Sequence, residues 1–407
     1  MAEPVPAGDP ERAALERAAA QAREPFDLGD GPLVRVTVTP LSPTEHLLAM
    51  YTHHIASDGW SVGVLMRDLQ AAYAGGRRTR CRCSTPTTPP GSGGGSTVTC
   101  SATRCAFGPR PWRRRPRHWT CPPTSPSGDG QLAGARLRDR LDPRVVDRLR
   151  EIARDAGTTL FSALYAAFGA VLMRRSGQDA AVVGVPVAGR SRAEAEDLIG
   201  FFVNTLPIPV RLPEDGTFGG LLTQVAGTVL GAFEHQDVPF ERLVETLAPE
   251  RDLSRNPLFQ AMFVLQNTPS SPTRFGDVDL EQVPLEPGTA KFDLTLSVEE
   301  REEAVVELEY ATDLFTPETA RAVLDAFLRL CAGAAERPSA PLADLMRIPA
   351  EERERLLVTW NRTDRDDPAP TSSSGCGTSR PSRHRPSPSV TTPGTSPTAN
   401  WPRAWTR

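Results

Sequence analysis

The chain has 407 residues, 39% of them hydrophobic, enough for a core of two or three domain-sized units. Its 46 basic and 50 acidic side chains leave a formal net charge of −4, and the near-exclusive use of Arg over Lys (Lys291 alone) reads as GC-rich coding, not as a binding property. No signal peptide opens the chain and no apolar run is long enough to span a membrane, so a cytoplasmic protein without a membrane partner is expected.

In chain order, residues 1–22 are rich in Ala and Glu with helical periodicity. Phe26 to Tyr51 contains two strand-like runs, LVRVTVTPL and HLLAMY. The run His53-His54-Ile55-Ala56-Ser57-Asp58-Gly59-Trp60 (HHxxxDGW) follows, at a strand-to-helix turn. The helix after it, Ser61 to Tyr73, is expected to bury Val62, Leu65, Met66 and Leu69, spaced i, i+3, i+4, i+7. Leu132–Leu141 reads as a strand, Pro143–Ala156 and Thr159–Ser176 as helices, with Thr158 or Thr159 capping the second. Ala180–Pro186 is a buried strand, Phe218–His235 a helix, and Pro257–Asn267 contains a strand. Phe292–Val298 and Ala304–Tyr310 alternate as a strand pair before a final helix, Pro317–Ala335. Helices and strands mix without strict βαβ repetition, which implies an α/β lobe with a largely antiparallel or mixed sheet.

Two tracts break this pattern. Residues 77–128 hold ten Arg and residues 369–407 five, and neither contains Asp or Glu. Both are rich in Pro, Ser, Thr and Gly and lack periodicity. On composition alone they would read as basic disordered segments of a type that binds nucleic acid, but no nucleic-acid partner is expected. Six of the seven Cys lie in them: Cys81, Cys83, Cys100, Cys105, Cys121 and Cys376. Their spacing, C-x-C then C-x4-C, matches no common zinc module, so no metal is expected.

A His pair followed by Asp and Gly suits acyl transfer, because an imidazole can take a proton from a nucleophile near neutral pH. Adjacent His on a strand point to opposite faces, and no nearby Cys or second acidic ligand completes a metal site. Asp58 is read as holding the local fold, and Gly59 as permitting a backbone conformation other residues resist.

Three later motifs join this one: Ile199-Gly200-Phe201-Phe202-Val203-Asn204-Thr205-Leu206, then His235-Gln236-Asp237-Val238-Pro239-Phe240-Glu241, then Arg251 to Phe259 (RDLSRNPLF) running into Phe263 to Asn267. In this order they resemble the core motifs of a nonribosomal peptide synthetase condensation domain, over roughly residues 23–362. The resemblance implies a two-lobed chloramphenicol-acetyltransferase-like α/β fold. Residues 1–76 would be a partial first lobe and 129–355 a second lobe with a mixed sheet and helices. Residues 356–371 would be a linker toward an adenylation domain and 372–407 an aberrant start of that domain. In the family a segment with the first core motif precedes the point where this chain starts, so an incomplete first lobe is expected.

The resemblance also gives the odd tracts an origin in frameshifted translation. Permissible GC-rich codings of Ser84–Gly95 and its preceding Cys83, read one base earlier, give LDADYAAWQRRW. The same shift turns His118–Pro126 into LDLPTDLP, which like the first segment resembles the family, and Thr395–Arg407 into LTYRELAARVDA, which resembles the first core motif of an adenylation domain.

The implied reaction joins an upstream peptidyl or aminoacyl thioester to a downstream aminoacyl thioester as an amide. Both substrates ride on 4'-phosphopantetheine arms of carrier proteins, so no cofactor is bound directly, and the partners are the two carriers and an adjacent adenylation domain. His54 is the expected catalytic residue, with His53 structural. Asp58 is expected to pair with an Arg, for which the missing amino-terminal piece is one source, and Gly59 to bring a backbone N–H near the oxyanion. Trp60 and Asn204 are expected near substrate, although for Asn204 a turn or strand-end hydrogen bond is an equal reading. His235 is read as favouring a helix C-terminus, and Arg251, Asp252, Arg255 and Asn256 as a loop network bridging the lobes. Two alternatives stand beside this function: an epimerization domain of the same superfamily, and a non-catalytic fragment.

Overall fold

A computed structural model describes residues 9–75, 133–247, 256–266, 274–283, 285, 288–300, 303–348, 353–359 and 362. The aberrant tracts, Leu132, Arg251, Asp252 and Arg255 lie outside the described residues. The chain divides into two units, Met1–Leu342 and Ala343–Arg407. The second is described only in part, including a π-helical turn at Arg355–Thr359.

The amino-terminal part of the first unit carries four elements. Helix α1 (Pro10–Ala22) starts at Asp9, whose carboxylate accepts from the Glu11 and Arg12 N–H groups, with Pro at the first helical position. Strands β1 (Val34–Pro40) and β2 (His46–Thr52) form an antiparallel hairpin, with Val36 opposite Met50. The chain then turns into helix α2 (Gly59–Tyr73), capped by Asp58.

The expected buried face of α2 is corrected by the structure. Ser61 and Val64 are buried, whereas Val62 is 40% exposed. Hydrogen bonds from the first turn orient the helix, and they draw Ser61 inward more strongly than apolar spacing draws Val62.

The larger part begins with β3 (Gly134–Leu141), followed by α3 (Pro143–Asp155) and α4 (Leu160–Ser176). Helix α4 is buried from Ser162 to Met173, as expected of a helix apolar on all sides. Thr159 takes its cap position without a side-chain bond, while the Thr158 hydroxyl reaches Ser162 Oγ at 2.8 Å. Strand β4 (Ala180–Val187), a short helix α5 (Ala193–Glu196) and β5 (Asn204–Arg211) come next. Helices α6 (Phe218–Glu234) and α7 (Phe240–Leu247) precede β6 (Ala261–Gln266), the small hairpin β7 (Arg274–Phe275) and β8 (Val278–Asp279), then β9 (Leu294–Glu299), β10 (Ala304–Ala311) and α8 (Pro317–Glu336).

Six of these strands form one sheet in the order β3-β10-β9-β6-β4-β5. The β9/β6 and β6/β4 pairs are parallel and the others antiparallel, the mixed sheet expected of the second lobe. Leu294, Leu296 and Val298 of β9 and Val306 and Leu308 of β10 turn inward, in alternation. Phe263 of β6 meets Tyr165 and Phe168 of α4, which fixes that helix on the sheet. Burying each such ring stabilises the fold by roughly 1.5–3 kcal/mol.

Strand β5 was not anticipated from sequence. Pro207 and Pro209 lie within it, and Pro donates no ladder hydrogen bond. The strand survives because it lies at the edge of the sheet, paired on one side only.

Candidate active site

The HHxxxDGW segment is a tight turn between β2 and α2. The Ala56 N–H donates to the His53 carbonyl at 2.9 Å, and the Ser57 hydroxyl donates to Thr52 Oγ1 at 2.7 Å. The turn separates the two imidazoles. His53 is half-buried against the Phe26 ring, and its Nδ1 accepts from the Ile55 N–H at 3.1 Å. His54 is exposed, and its Nδ1 lies 2.8 Å from the Ser57 carbonyl oxygen. A carbonyl oxygen can only accept, so Nδ1 carries the proton and the neutral ring keeps its lone pair on Nε2.

Asp58 is buried. Its Oδ1 accepts from the Ser61 N–H at 2.8 Å and the Ser61 hydroxyl at 2.7 Å, and its Oδ2 from the Phe202 N–H at 3.1 Å. Arg190 completes the set with Nη2 at 3.2 Å from Oδ1 and 3.4 Å from Oδ2. Burial pushes the Asp58 carboxyl up, but the bonds from Ser61 and Phe202 and the Arg190 charge outweigh it, so the group titrates below the usual carboxylate range. The expected Arg partner is thus found 132 residues downstream, in the larger part of the fold.

Arg190 is held in turn. Its Nη1 donates to the Ala195 and Leu198 carbonyls, and its guanidinium lies 4.3 Å from the centre of the Phe202 ring. The preceding Gly189 has φ +63°, and a Cβ there would fall 1.9 Å from the Phe202 carbonyl oxygen, so the close approach requires glycine.

Ser61 ties α2 to the Ile199–Leu206 motif. Its Oγ accepts from the Gly200 N–H at 3.1 Å and lies 2.9 Å from the Gly200 carbonyl. The Trp60 indole N–H donates to the Glu196 carbonyl at 2.8 Å, and Arg67 pairs with Asp197 at 2.8 Å. The Trp60 indole is therefore engaged in the fold. Phe201, between the two anchored residues Gly200 and Phe202, sets its ring perpendicular to His54 with centroids 5.2 Å apart.

Gly59 occupies the first helical position of α2, outside the left-handed region, and a Cβ there would meet nothing within 4 Å. The expectation that it relieves backbone strain is corrected. Its N–H and that of Trp60 belong to a first helical turn, where backbone donors lack intrahelical partners and the helix end carries partial positive charge.

Asn204 starts β5 and spends all its capacity on the backbone. Its Nδ2 donates to the Gln236 and Val238 carbonyls at 2.8 and 2.7 Å, and its Oδ1 accepts from the Thr205 and Phe240 N–H groups at 2.9 and 3.1 Å. Asn204 thereby joins the second and third motifs and fixes the start of α7. His235 is exposed at the end of α6. Asn256 donates to the Lys291 carbonyl at 3.1 Å, a bond within the larger part of the fold.

Sequence reading missed Arg190 and Ser61 and gave Phe201 no role. Arg190 lies in an unremarkable loop, and no local pattern marks it. Ser61 was placed on the helix without notice of its reach to Gly200.

The condensation-domain family model matches residues 5–88 and 112–357, so its gap falls inside the Arg-rich tract. Tyrocidine synthase 3 of Brevibacillus parabrevis is 33% identical over 368 residues, which are 89% of this chain and 6% of that protein. Malpibaldin synthetase of Mortierella alpina is 36% identical over 361 residues, 86% of this chain and 6% of that protein. The chain therefore spans well under a tenth of these relatives' length. Among solved structures, the X-domain from teicoplanin biosynthesis superposes with a TM-score of 0.71 and 25% identity, covering 86% of this chain and 81% of that one.

Proposed function

The chain belongs to the condensation-domain family of nonribosomal peptide synthetases, and on that premise we propose that it joins two thioester-bound substrates through an amide bond. The donor is a peptidyl or aminoacyl thioester on an upstream carrier protein and the acceptor an aminoacyl thioester on a downstream one, each on a phosphopantetheine arm. The adjacent partner is an adenylation domain that supplies the activated amino acid, and the setting is the cytoplasm, where such thioesters are made.

One observation carries this reading: the His54 Nδ1 bond to the Ser57 carbonyl, which leaves the lone pair on Nε2 of an exposed imidazole in the turn that leads into α2. The acceptor amine attacks the donor carbonyl carbon and a C–N bond forms. Nε2 takes the proton that the nitrogen must lose. The carbonyl oxygen gains negative charge, which the Gly59 and Trp60 N–H groups favour from the helix end. The C–S bond then breaks, the sulfur leaves as thiolate, and His54 returns the proton to it. Delivery of both reactants to one point by carriers supplies much of the rate.

Asp58, Arg190 and Ser61 hold the turn and take no part in proton transfer. The alternatives of an epimerization domain or a non-catalytic fragment draw no support from the matched relatives. The test is to supply the chain with one acyl-loaded and one aminoacyl-loaded carrier and to look by mass spectrometry for the amide on the downstream carrier. Its absence sinks the reading.

A further inference from the structure

The Ile199–Leu206 motif contributes one large side chain to the surroundings of His54 that the mechanism above leaves unused. The Phe201 ring stands perpendicular to the imidazole with centroids 5.2 Å apart. Even so, it is 53% exposed, so it covers His54 on one side and faces open space on the other.

An exposed Phe on a loop would ordinarily be free to move. This one is not, because both neighbours are anchored to the motif that bears His54. The Gly200 N–H and carbonyl meet Ser61 Oγ at 3.1 and 2.9 Å, and the Phe202 N–H meets Asp58 Oδ2 at 3.1 Å. Those partners are themselves buried, Asp58 and Ser61 being 5% and 1% exposed. A bulky apolar ring is thus fixed at the edge of the base by a network that has no other need of it.

We infer that Phe201 is a specificity-determining residue, whose ring sets the space beside the His54 imidazole and so limits the size of the side chain carried by the reacting aminoacyl thioester. This rests on the amide-forming reading above. A fixed aromatic wall at the reacting nitrogen excludes branched or aromatic side chains by overlap and admits small ones. Changes of this kind in an apolar site alter selectivity by about 10–200-fold.

The test uses the full chain with an acyl-pantetheine donor and an equimolar mixture of glycyl- and leucyl-pantetheine acceptors. Phe201→Ala is expected to raise the leucyl-to-glycyl product ratio about tenfold or more, and Phe201→Trp to lower it. An unchanged ratio in both variants, with the parent chain active, overturns the proposal.

A second measurement stands apart from turnover. Diethyl pyrocarbonate acylates exposed imidazole nitrogens, and its rate at His54, relative to exposed His235, reads the cover directly by peptide mass spectrometry. Phe201→Ala is expected to raise that relative rate several-fold and Phe201→Trp to lower it. If the parent chain forms no amide, the functional reading fails while this rate still decides whether Phe201 walls the imidazole. A rate unmoved by either substitution overturns the proposal.

Discussion

Asp58 and Arg190 meet across 132 residues of sequence, Nη2 3.2 Å from Oδ1, with side chains only 3% and 2% exposed. The pair is buried, and both groups carry further hydrogen bonds: Ser61 and Phe202 on the carboxylate, Ala195 and Leu198 on the guanidinium. Such a pair adds little net stability over an apolar replacement, but removing one member strands the other. It joins the turn bearing His54 to the sheet-bearing part of the fold.

Arg190→Ala is therefore expected to cost about 3–5 kcal/mol of stability, because a buried carboxylate loses its counter-charge. Urea unfolding of the purified variant measures this. A loss below about 1 kcal/mol, the usual value of an exposed pair, would show that the contact is not buried in solution.

The same pair sets a dependence on pH. The folded Asp58 carboxyl titrates lower than an unfolded one, whose value is about 3.9. Its contribution to stability is therefore fully present above that value and is lost as pH falls through the lower, folded one. Asp58→Asn is expected to flatten the stability profile on the acid side of about pH 4 relative to the parent chain. Parallel curves for the two proteins would contradict the assignment.

Gly59→Pro separates the fold from the chemistry. Proline is favoured at a first helical position, and Asp58 before it is already extended, at φ −125° and ψ −179°. Melting temperature is expected to change little. The substitution removes the Gly59 N–H, and loss of one oxyanion donor lowers turnover by about 10²–10³-fold. Retained turnover in a folded variant would remove Gly59 from the mechanism.

Asn204 is expected to act through stability. Asn204→Asp replaces two donated hydrogen bonds by contacts between a carboxylate and the Gln236 and Val238 carbonyls. Unsatisfied buried polar groups cost about 1–3 kcal/mol each, so thermal unfolding should fall by several degrees. A variant of parental stability with a raised KM would instead place Asn204 against substrate.

These residues show what could be read from sequence and what could not. His54, Asp58 and the cap of α2 lie within a few residues of one another, so residue type and spacing disclose them. The strands β9 and β10 and helices α6 and α8 were legible because each buries a regular face, and α4 because it is apolar on all sides. Arg190 was not, since its role depends on a tertiary contact with no local period. Strand β5 was hidden by its prolines, which an edge position tolerates. The face of α2 was misjudged because polar anchors at Ser61 outweigh the apolar spacing of Val62. Asn204 stood in a motif that marks it, yet only the four backbone partners distinguish a clamp from a ligand.

The Arg-rich tract carries its own expectation. The family match breaks at residues 89–111, within residues 77–128. Resequencing the coding DNA across this tract is expected to show single-base shifts that restore acidic and aromatic residues in another frame. A coding sequence that agrees throughout with the present translation would make the tract a real segment of the protein.

The most direct test of the account is turnover by His54→Ala with loaded carriers, beside the parent chain and His53→Ala. The His54 side chain makes its one described polar contact through Nδ1 to Ser57 and is exposed, so its removal should leave the melting temperature nearly unchanged. Loss of a general base lowers the rate by about 10²–10⁴-fold, and amide formation should fall by that amount in His54→Ala. Amide formed by His54→Ala at the parental rate would contradict the assignment of His54 as the proton acceptor.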